Sequence, residues 1–178
     1  MTSANVYIGT SLDGFIARAD GDIGWLMKFA DADAIASYNE FIADIDVMVI
    51  GRGTFETVMG FPSWPYDKPV FVLSKTIKEL PDGLSGKATI TSLEPAELLR
   101  HLSDQGFKGA YIDGGKVIQS FLIADLIDNL IIATIPLLIG SGIPLFGSLD
   151  TDINFEHLRT STYPNGLVRS YYKRKREN

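Results

Sequence analysis

Three short apolar runs, Val47–Ile50, Val70–Leu73 and Ala110–Ile112, constrain the fold of this chain more than any other feature. Each is continuous rather than alternating, as in a strand buried on both faces of a helix-covered sheet. Each also stops at small or polar residues: Gly51-Arg52-Gly53-Thr54, Ser74-Lys75-Thr76 and Asp113-Gly114-Gly115. After the third run, Val117, Ile118, Phe121 and Leu122 take up helical spacing. A strand that ends in paired glycines and opens into a helix offers bare backbone N–H groups beside a helix N-terminus. No Cβ blocks approach and the helix dipole favours negative charge, so the turn suits a phosphate. A plain strand-to-helix turn would look the same.

The remaining elements follow the same logic. Residues 5–11 read as a first strand, with Val6 and Ile8 on one face and Tyr7 and Gly9 on the other. A helix is predicted over 30–45, with Ile35, Tyr38, Phe41, Ile42 and Ile45 near one face, and another begins at Phe55–Met59. Ala88–Thr91 is a weaker strand, after which Ser92 is expected to cap a helix over 95–105 that carries Pro95 in its first turn. Leu130–Ile135 is a strand ended by Pro136. Residues 155–161 and 168–173 form a closing antiparallel pair across Pro164-Asn165-Gly166. Strand–helix units first and antiparallel strands last predict one α/β domain over 1–178. Its expected form is a three-layer α/β/α fold around a mixed, mostly parallel sheet with a C-terminal antiparallel pair.

Length and charge narrow the function. At 178 residues the chain can bury a full core. The net charge of −6 argues against nucleic-acid binding, and Lys173-Arg174-Lys175-Arg176, the one basic cluster, reads as a solvated strand end. With no cysteine there is no disulfide, thiolate chemistry or cysteine-ligated metal. His101 and His157 have no partner at ligand spacing, so no metal is expected. The apolar stretch 121–145 is broken by Asp125, Asp128, Asn129 and Pro136, which leaves no span of about 20 apolar residues. No leader with a basic and then an apolar region opens the chain. The expectation is a cytoplasmic protein whose partner is a small molecule, with no membrane and no nucleic acid.

If the three runs are parallel neighbours, their terminal loops face one side, where open α/β sheets bind ligands. Together they supply two glycine turns, two hydroxyls (Thr54 and Ser74) and two cations (Arg52 and Lys75). That set matches a dinucleotide pyrophosphate plus one further phosphate, with Arg52 and Lys75 as natural partners of a ribose 2′-phosphate. The glycine signature of the Rossmann fold is absent, so such a site is of another kind.

From Asn5 to about Lys173 the chain resembles the dihydrofolate reductase-like superfamily, most closely the group related to the C-terminal reductase domain of bacterial riboflavin biosynthesis. Six segments in order carry the resemblance. They are residues 11–17 (Ser-Leu-Asp-Gly-Phe-Ile-Ala), 49–56 (Val-Ile-Gly-Arg-Gly-Thr-Phe-Glu), 72–75 (Val-Leu-Ser-Lys), 112–115 (Ile-Asp-Gly-Gly), 126–130 (Leu-Ile-Asp-Asn-Leu) and 136–146 (Pro-Leu-Leu-Ile-Gly-Ser-Gly-Ile-Pro-Leu-Phe). The resemblance implies NADPH-dependent hydride transfer. It puts Gly51, Arg52 and Thr54 at the phosphates, Ser74 and Lys75 at the adenosine ribose phosphate, and Leu73 among the cofactor-binding residues. Gly114, Gly115, Lys116, Val117 and Ile118 would line the pyrophosphate and nicotinamide side, with Ala17 over the nicotinamide.

At the substrate end a carboxylate is needed to orient a pterin-like ring and channel a proton. In true dihydrofolate reductases it lies early in the first helix, a few residues after a tryptophan. Trp25 resembles that tryptophan, and Asp31 and Asp33 lie at about the right distance, though neither aligns without a loop adjustment. Each also fits a plain helix-N-terminal acid. Asp13 is a third candidate and fits an Asp-Gly turn equally well. Trp25, Trp64 and Tyr66 could wall a flat ring or pack in the core. The expected function is reduction of a pterin- or dihydrofolate-like heterocycle. The alternatives are a 5-amino-6-(5-phosphoribosylamino)uracil reductase of riboflavin biosynthesis and a non-catalytic nucleotide-binding module. A homodimer is also expected, through the apolar strands around 130–138.

Overall fold

The computed structural model describes residues 1–176. Eight strands form one sheet in the order β5-β4-β3-β6-β1-β7-β10-β9. They are β1 (Ser3–Ser11), β3 (Val47–Gly51), β4 (Val70–Leu73), β5 (Ala88–Thr91), β6 (Gly109–Asp113), β7 (Asn129–Ile135), β9 (Phe155–Thr162) and β10 (Val168–Arg174). The six from β5 to β7 are mutually parallel, and β10 runs against both of its neighbours. The mixed sheet and its C-terminal antiparallel pair are as the sequence predicts.

Alternation along β1 sorts the two faces. Ala4 and Val6 share a fully buried cluster with Val47, Val49 and Ile112. Onto it pack Leu98, Leu99 and Leu102 of α4 (Pro95–Asp104) and Ile118, Phe121 and Leu122 of α5 (Gly115–Ile123). On the other face Met48, Ile50, Val70, Val72 and Tyr111 meet Phe55 of α3 (Arg52–Met59) and Tyr38 and Phe41 of α2 (Ala32–Ala43). Truncating a side chain as buried as Phe121 would cost about 3–5 kcal/mol.

Several boundaries differ from the sequence reading, each for a local reason. Helix α2 starts at Ala32 because Asp31 is its N-cap and accepts from the Ala34 N–H (3.0 Å). Ile35, expected on the core face, is 54% exposed. Helix α3 starts at Arg52, directly off β3, three residues before Phe55. The cap of α4 is Glu94 and not Ser92, with Glu97 reaching back to the Glu94 N–H (3.3 Å). A one-turn helix α1 (Gly24–Met27) and a small sheet of β2 (Phe15–Ala17) with β8 (Ile143–Pro144) are too short to leave a periodic signal. Strand β7 is paired on both edges, by β1 and β10, so two-fold pairing through 130–135 is closed; the sheet's outer edges are β5 and β9. Among the described residues, no helix is long and apolar enough to cross a membrane.

Candidate active site

The parallel strands end on one side, where a cleft of about 1530 Å³ opens. The ends of β3, β4 and β6 meet there. Gly51, Arg52, Thr54, Leu73, Ser74, Lys75, Gly114, Gly115, Lys116 and Val117 all line it, and Ala17 borders it from β2. The structure therefore brings these residues together around one cleft and leaves out one of those named from sequence. Ile118 is wholly buried behind the first turn of α5, in the core beneath the lining.

Two helices begin at this end without a side-chain cap, α3 at Gly51 and α5 at Gly114. Uncapped first turns leave N–H donors for a ligand and add the positive end of the dipole. Both caps leave little room for a Cβ, and Gly114 also has a backbone conformation that favours glycine. Gly114 has φ +95°, and a Cβ on it would lie 2.7 Å from Thr54 Oγ1; one on Gly51 would lie 2.9 Å from Val117 Cγ2. The cations nearby are lightly held. Arg52 lies 3.7 Å from Glu56 and 3.4 Å from Thr76 Oγ1, and Lys75 pairs with Glu94 at 2.9 Å, all of them exposed. The Glu94 hydrogen bond and charge push the Lys75 pKa up, keeping it protonated. Exposed pairs of this kind are weak and screened by solvent, so an incoming phosphate can replace either acid.

Asp113 closes β6 at the inner end of this cradle. Burial pushes its carboxyl up to about 6, against the opposing pull of the Gly114 N–H. Around it stands a wall of tyrosines that also line the cleft: Tyr7, Tyr38, Tyr66 and Tyr111. Tyr38 sits edge-on to Tyr7 (5.7 Å between ring centroids) and to Tyr111 (6.4 Å). Burial raises the pKa of each of these phenols, and the Asp113 charge adds to the effect at Tyr38, Tyr66 and Tyr111.

The three carboxylates proposed from sequence lie outside the cleft lining. Asp13 accepts from Ser11 Oγ (2.6 Å) and from the Gly140 N–H (2.8 Å), pinning one loop to another; the Ser11 bond lowers its pKa. Asp31 is occupied as the α2 cap and by Asn165 Nδ2 (2.8 Å), and Asp33 is an exposed first-turn acid. Trp25 is 4% exposed in a separate cluster with Ala133, Ile135 and Leu167. Trp64 packs behind the lining, edge-on to Tyr66 (5.2 Å), and only Tyr66 of the three proposed aromatics borders the cleft.

Sequence reasoning missed Asp113 as a titrating group, the other three tyrosines, and Arg169, a buried arginine at the β10 end of the cleft. Period-two reading already put Tyr7 opposite the core-facing Val6, and Asp113 was visible as an acid ending an apolar strand. Arg169 left no such signal, because only the pairing of β10 with β7 brings it to the cleft.

Comparison with known proteins agrees with this architecture. Residues 4–169 match the RibD C-terminal domain family. The uncharacterized protein YwjB of Bacillus subtilis is 31% identical over 172 residues, covering 94% of this chain and 96% of that protein. A crystal structure from Shewanella sp. PV-4, of a "putative riboflavin biosynthesis protein", is 38% identical with a TM-score of 0.89, covering 98% of this chain and all of that one. The diaminohydroxyphosphoribosylaminopyrimidine deaminase/5-amino-6-(5-phosphoribosylamino)uracil reductase of Thermotoga maritima shares the fold at 14% identity and a TM-score of 0.76. That match covers 98% of this chain and 57% of the other. A mixed, mostly parallel sheet with a C-terminal antiparallel pair, a glycine-lined cleft at its strand ends and a match over nearly the whole chain lead to one conclusion: this protein belongs to the RibD C-terminal domain family.

Proposed function

We propose that this protein is a reductase that transfers a hydride from NADPH to a small planar heterocycle. One observation carries the reading. Two uncapped helix N-termini, with Arg52 and Lys75 beside them, converge on one end of a cleft whose remainder is walled by tyrosines around Asp113. The cradle suits a dinucleotide because neither helix N-terminus carries a side-chain cap and both are glycines with no side chain to obstruct approach. Gly51, Thr54, Gly114, Gly115, Lys116 and Val117 would hold the pyrophosphate and nicotinamide portions. Leu73, Ser74, Lys75 and Arg52 would hold the adenosine ribose and its 2′-phosphate. Ala17 would border the ring, while Ile118 supports α5 from behind. NADPH, when bound, supplies the hydride.

The chain's own contribution is orientation and a proton. The tyrosine wall excludes water and presents flat faces to a ring. Asp113, with a pKa near 6, holds a proton within the working range of a general acid, to be delivered to nitrogen as the adjacent carbon of a C=N bond accepts hydride. Asp113 thus takes the role that the sequence reading divided among Asp13, Asp31 and Asp33.

The phosphoribosylaminouracil alternative needs a cationic pocket for a terminal phosphate in the substrate half. Among the described residues, the lysines and arginines lining the cleft are Arg52, Lys75, Lys116 and Arg169, and the first three belong to the proposed cofactor end. A compact acceptor is therefore preferred. A cytoplasmic homodimer remains part of the proposal, with light scattering as the test of assembly.

A thermal-shift titration with NADPH and NADH, followed by NADPH oxidation in the presence of pterin acceptors, tests the function. Saturation at a hundred times the dissociation constant should add about 2.7 kcal/mol of stability. Preference for NADPH that is lost in Arg52→Ala supports the reading. No shift with either nucleotide overturns it. A shift without turnover on any acceptor leaves a nucleotide-binding module.

A further inference from the structure

Arg169 is the most anomalous side chain in the protein. It is 1% exposed, yet among the described residues no salt bridge reaches it, and its Nε has no hydrogen-bond partner. Among the described residues its only side-chain hydrogen bond is from Nη1 to the Tyr163 hydroxyl, and its guanidinium lies over the rings of Tyr163 (4.7 Å) and Tyr7 (5.5 Å). Burying a cation carries a large desolvation cost, which a neutral phenol and two ring faces offset only in part. Folding alone gives no reason to keep it, since an apolar side chain of similar volume would fill the space at less cost. Arg169 borders the cleft, so a ligand can supply the missing countercharge.

Its position says what kind of ligand. Arg169 pairs with Ala133, which pairs with Gly9, so the three form a row across β10, β7 and β1 on the face carrying Tyr7. The β10 backbone is three strands from β6, about 14 Å. The guanidinium, however, reaches back over Tyr7 on β1, the immediate neighbour of β6 and its Asp113. The interval between proton donor and cation is therefore short enough for one ring system with a directly attached group. A planar cation held against two rings, with no second cation in contact with it among the described residues, suits a planar anion better than a phosphate dianion.

We propose that Arg169 determines substrate specificity by pairing with a carboxylate carried directly on the acceptor heterocycle. The inference deepens the reductase reading and rests on it for the word acceptor, but the carboxylate pairing is measurable without NADPH.

The test uses matched probes: pterin-6-carboxylate against 6-methylpterin, and orotate against uracil. Each is titrated by calorimetry into the wild-type protein, Arg169→Met and Arg169→Lys. In wild type at least one acid should bind ten-fold or more tightly than its neutral partner. Arg169→Met should reduce that preference to less than three-fold, Arg169→Lys should restore part of it, and the NADPH thermal shift should be unchanged in both. A wild-type protein that binds neither acid, or shows no preference, overturns the proposal whether or not the variants fold. So does a preference that survives in Arg169→Met. Loss of the NADPH shift in wild type would defeat the reductase reading separately and leave the carboxylate result standing.

Discussion

Thr54 and Gly114 are packed so closely that a methyl group on Gly114 would sit 2.7 Å from the Thr54 hydroxyl oxygen. The first residue belongs to the opening turn of α3 and the second caps α5, so this contact sets how far apart the two uncapped N-termini stand. Gly114→Ala adds both the clash and the strain of a positive φ, at a cost of about 1–3 kcal/mol. The expected result is a lower Tm and loss of most of the NADPH thermal shift. A full shift in the variant would show that the two turns do not act as one site.

Asp113 makes a pH prediction with a definite sign. A carboxyl whose folded pKa lies above its unfolded value binds its proton more tightly when folded, so stability falls as pH rises from about 4 to about 6. A shift of this size corresponds to a change of up to about 3 kcal/mol across that window. Urea denaturation at pH 4 and pH 7 should show a smaller difference in Asp113→Asn than in wild type. The same group, as proton donor, should make kcat/KM decline above pH 6, and the Asn variant should lose about 100-fold in rate together with that dependence.

Gly9 separates space from stability. A Cβ there would meet Leu26 Cδ1 at 2.5 Å, the end of a flexible side chain that lines the cleft. Gly9→Ala should leave Tm within a few degrees of wild type while pushing Leu26 into the cleft. A raised KM for the acceptor with an unchanged NADPH shift is the expected signature.

Far from the cleft, Arg174 grips Asp125 through two hydrogen bonds, Nε to Oδ1 (2.5 Å) and Nη2 to Oδ2 (2.9 Å). Its guanidinium holds the Asp125 carboxyl below the usual carboxylate range, so this contribution is present above about pH 4 and is lost as pH falls below it. Asp125 also has φ +53°, which asparagine tolerates. Asp125→Asn should therefore remove the charge pair without backbone strain and cost about 1 kcal/mol at pH 7. A larger loss would mean that asparagine does not keep the local backbone.

The fold was legible because its signals are local and repeated. Val47–Ile50, Val70–Leu73 and Ala110–Ile112 announce buried strands by composition alone, and their terminal glycines and hydroxyls mark the end of the cleft proposed to hold the cofactor. The substrate end was less legible. Asp31 stands at about the expected distance after a tryptophan and Asp13 ends the first strand, but the structure spends both on holding turns together. Trp25 is a large aromatic in a promising place, yet it serves a core of its own. What replaces them is assembled from β1, β6, β10 and α2, elements whose neighbourhood exists only after folding. Arg169 is the extreme case, since nothing within ten residues of it hints at a partner on β1.

The strand order also has a consequence for synthesis. Strand β1, near the middle of the sheet, is the first to leave the ribosome, but its partners begin at Gly109 and Asn129. At roughly 5–20 residues per second, its apolar edges wait on the order of 5–20 s for a mate. Strands β3 and β4 can pair meanwhile, but the sheet cannot close until most of the chain has emerged. Nascent chains halted before Gly109 should therefore be captured by chaperones, and those extended past Ile135 should be released from them.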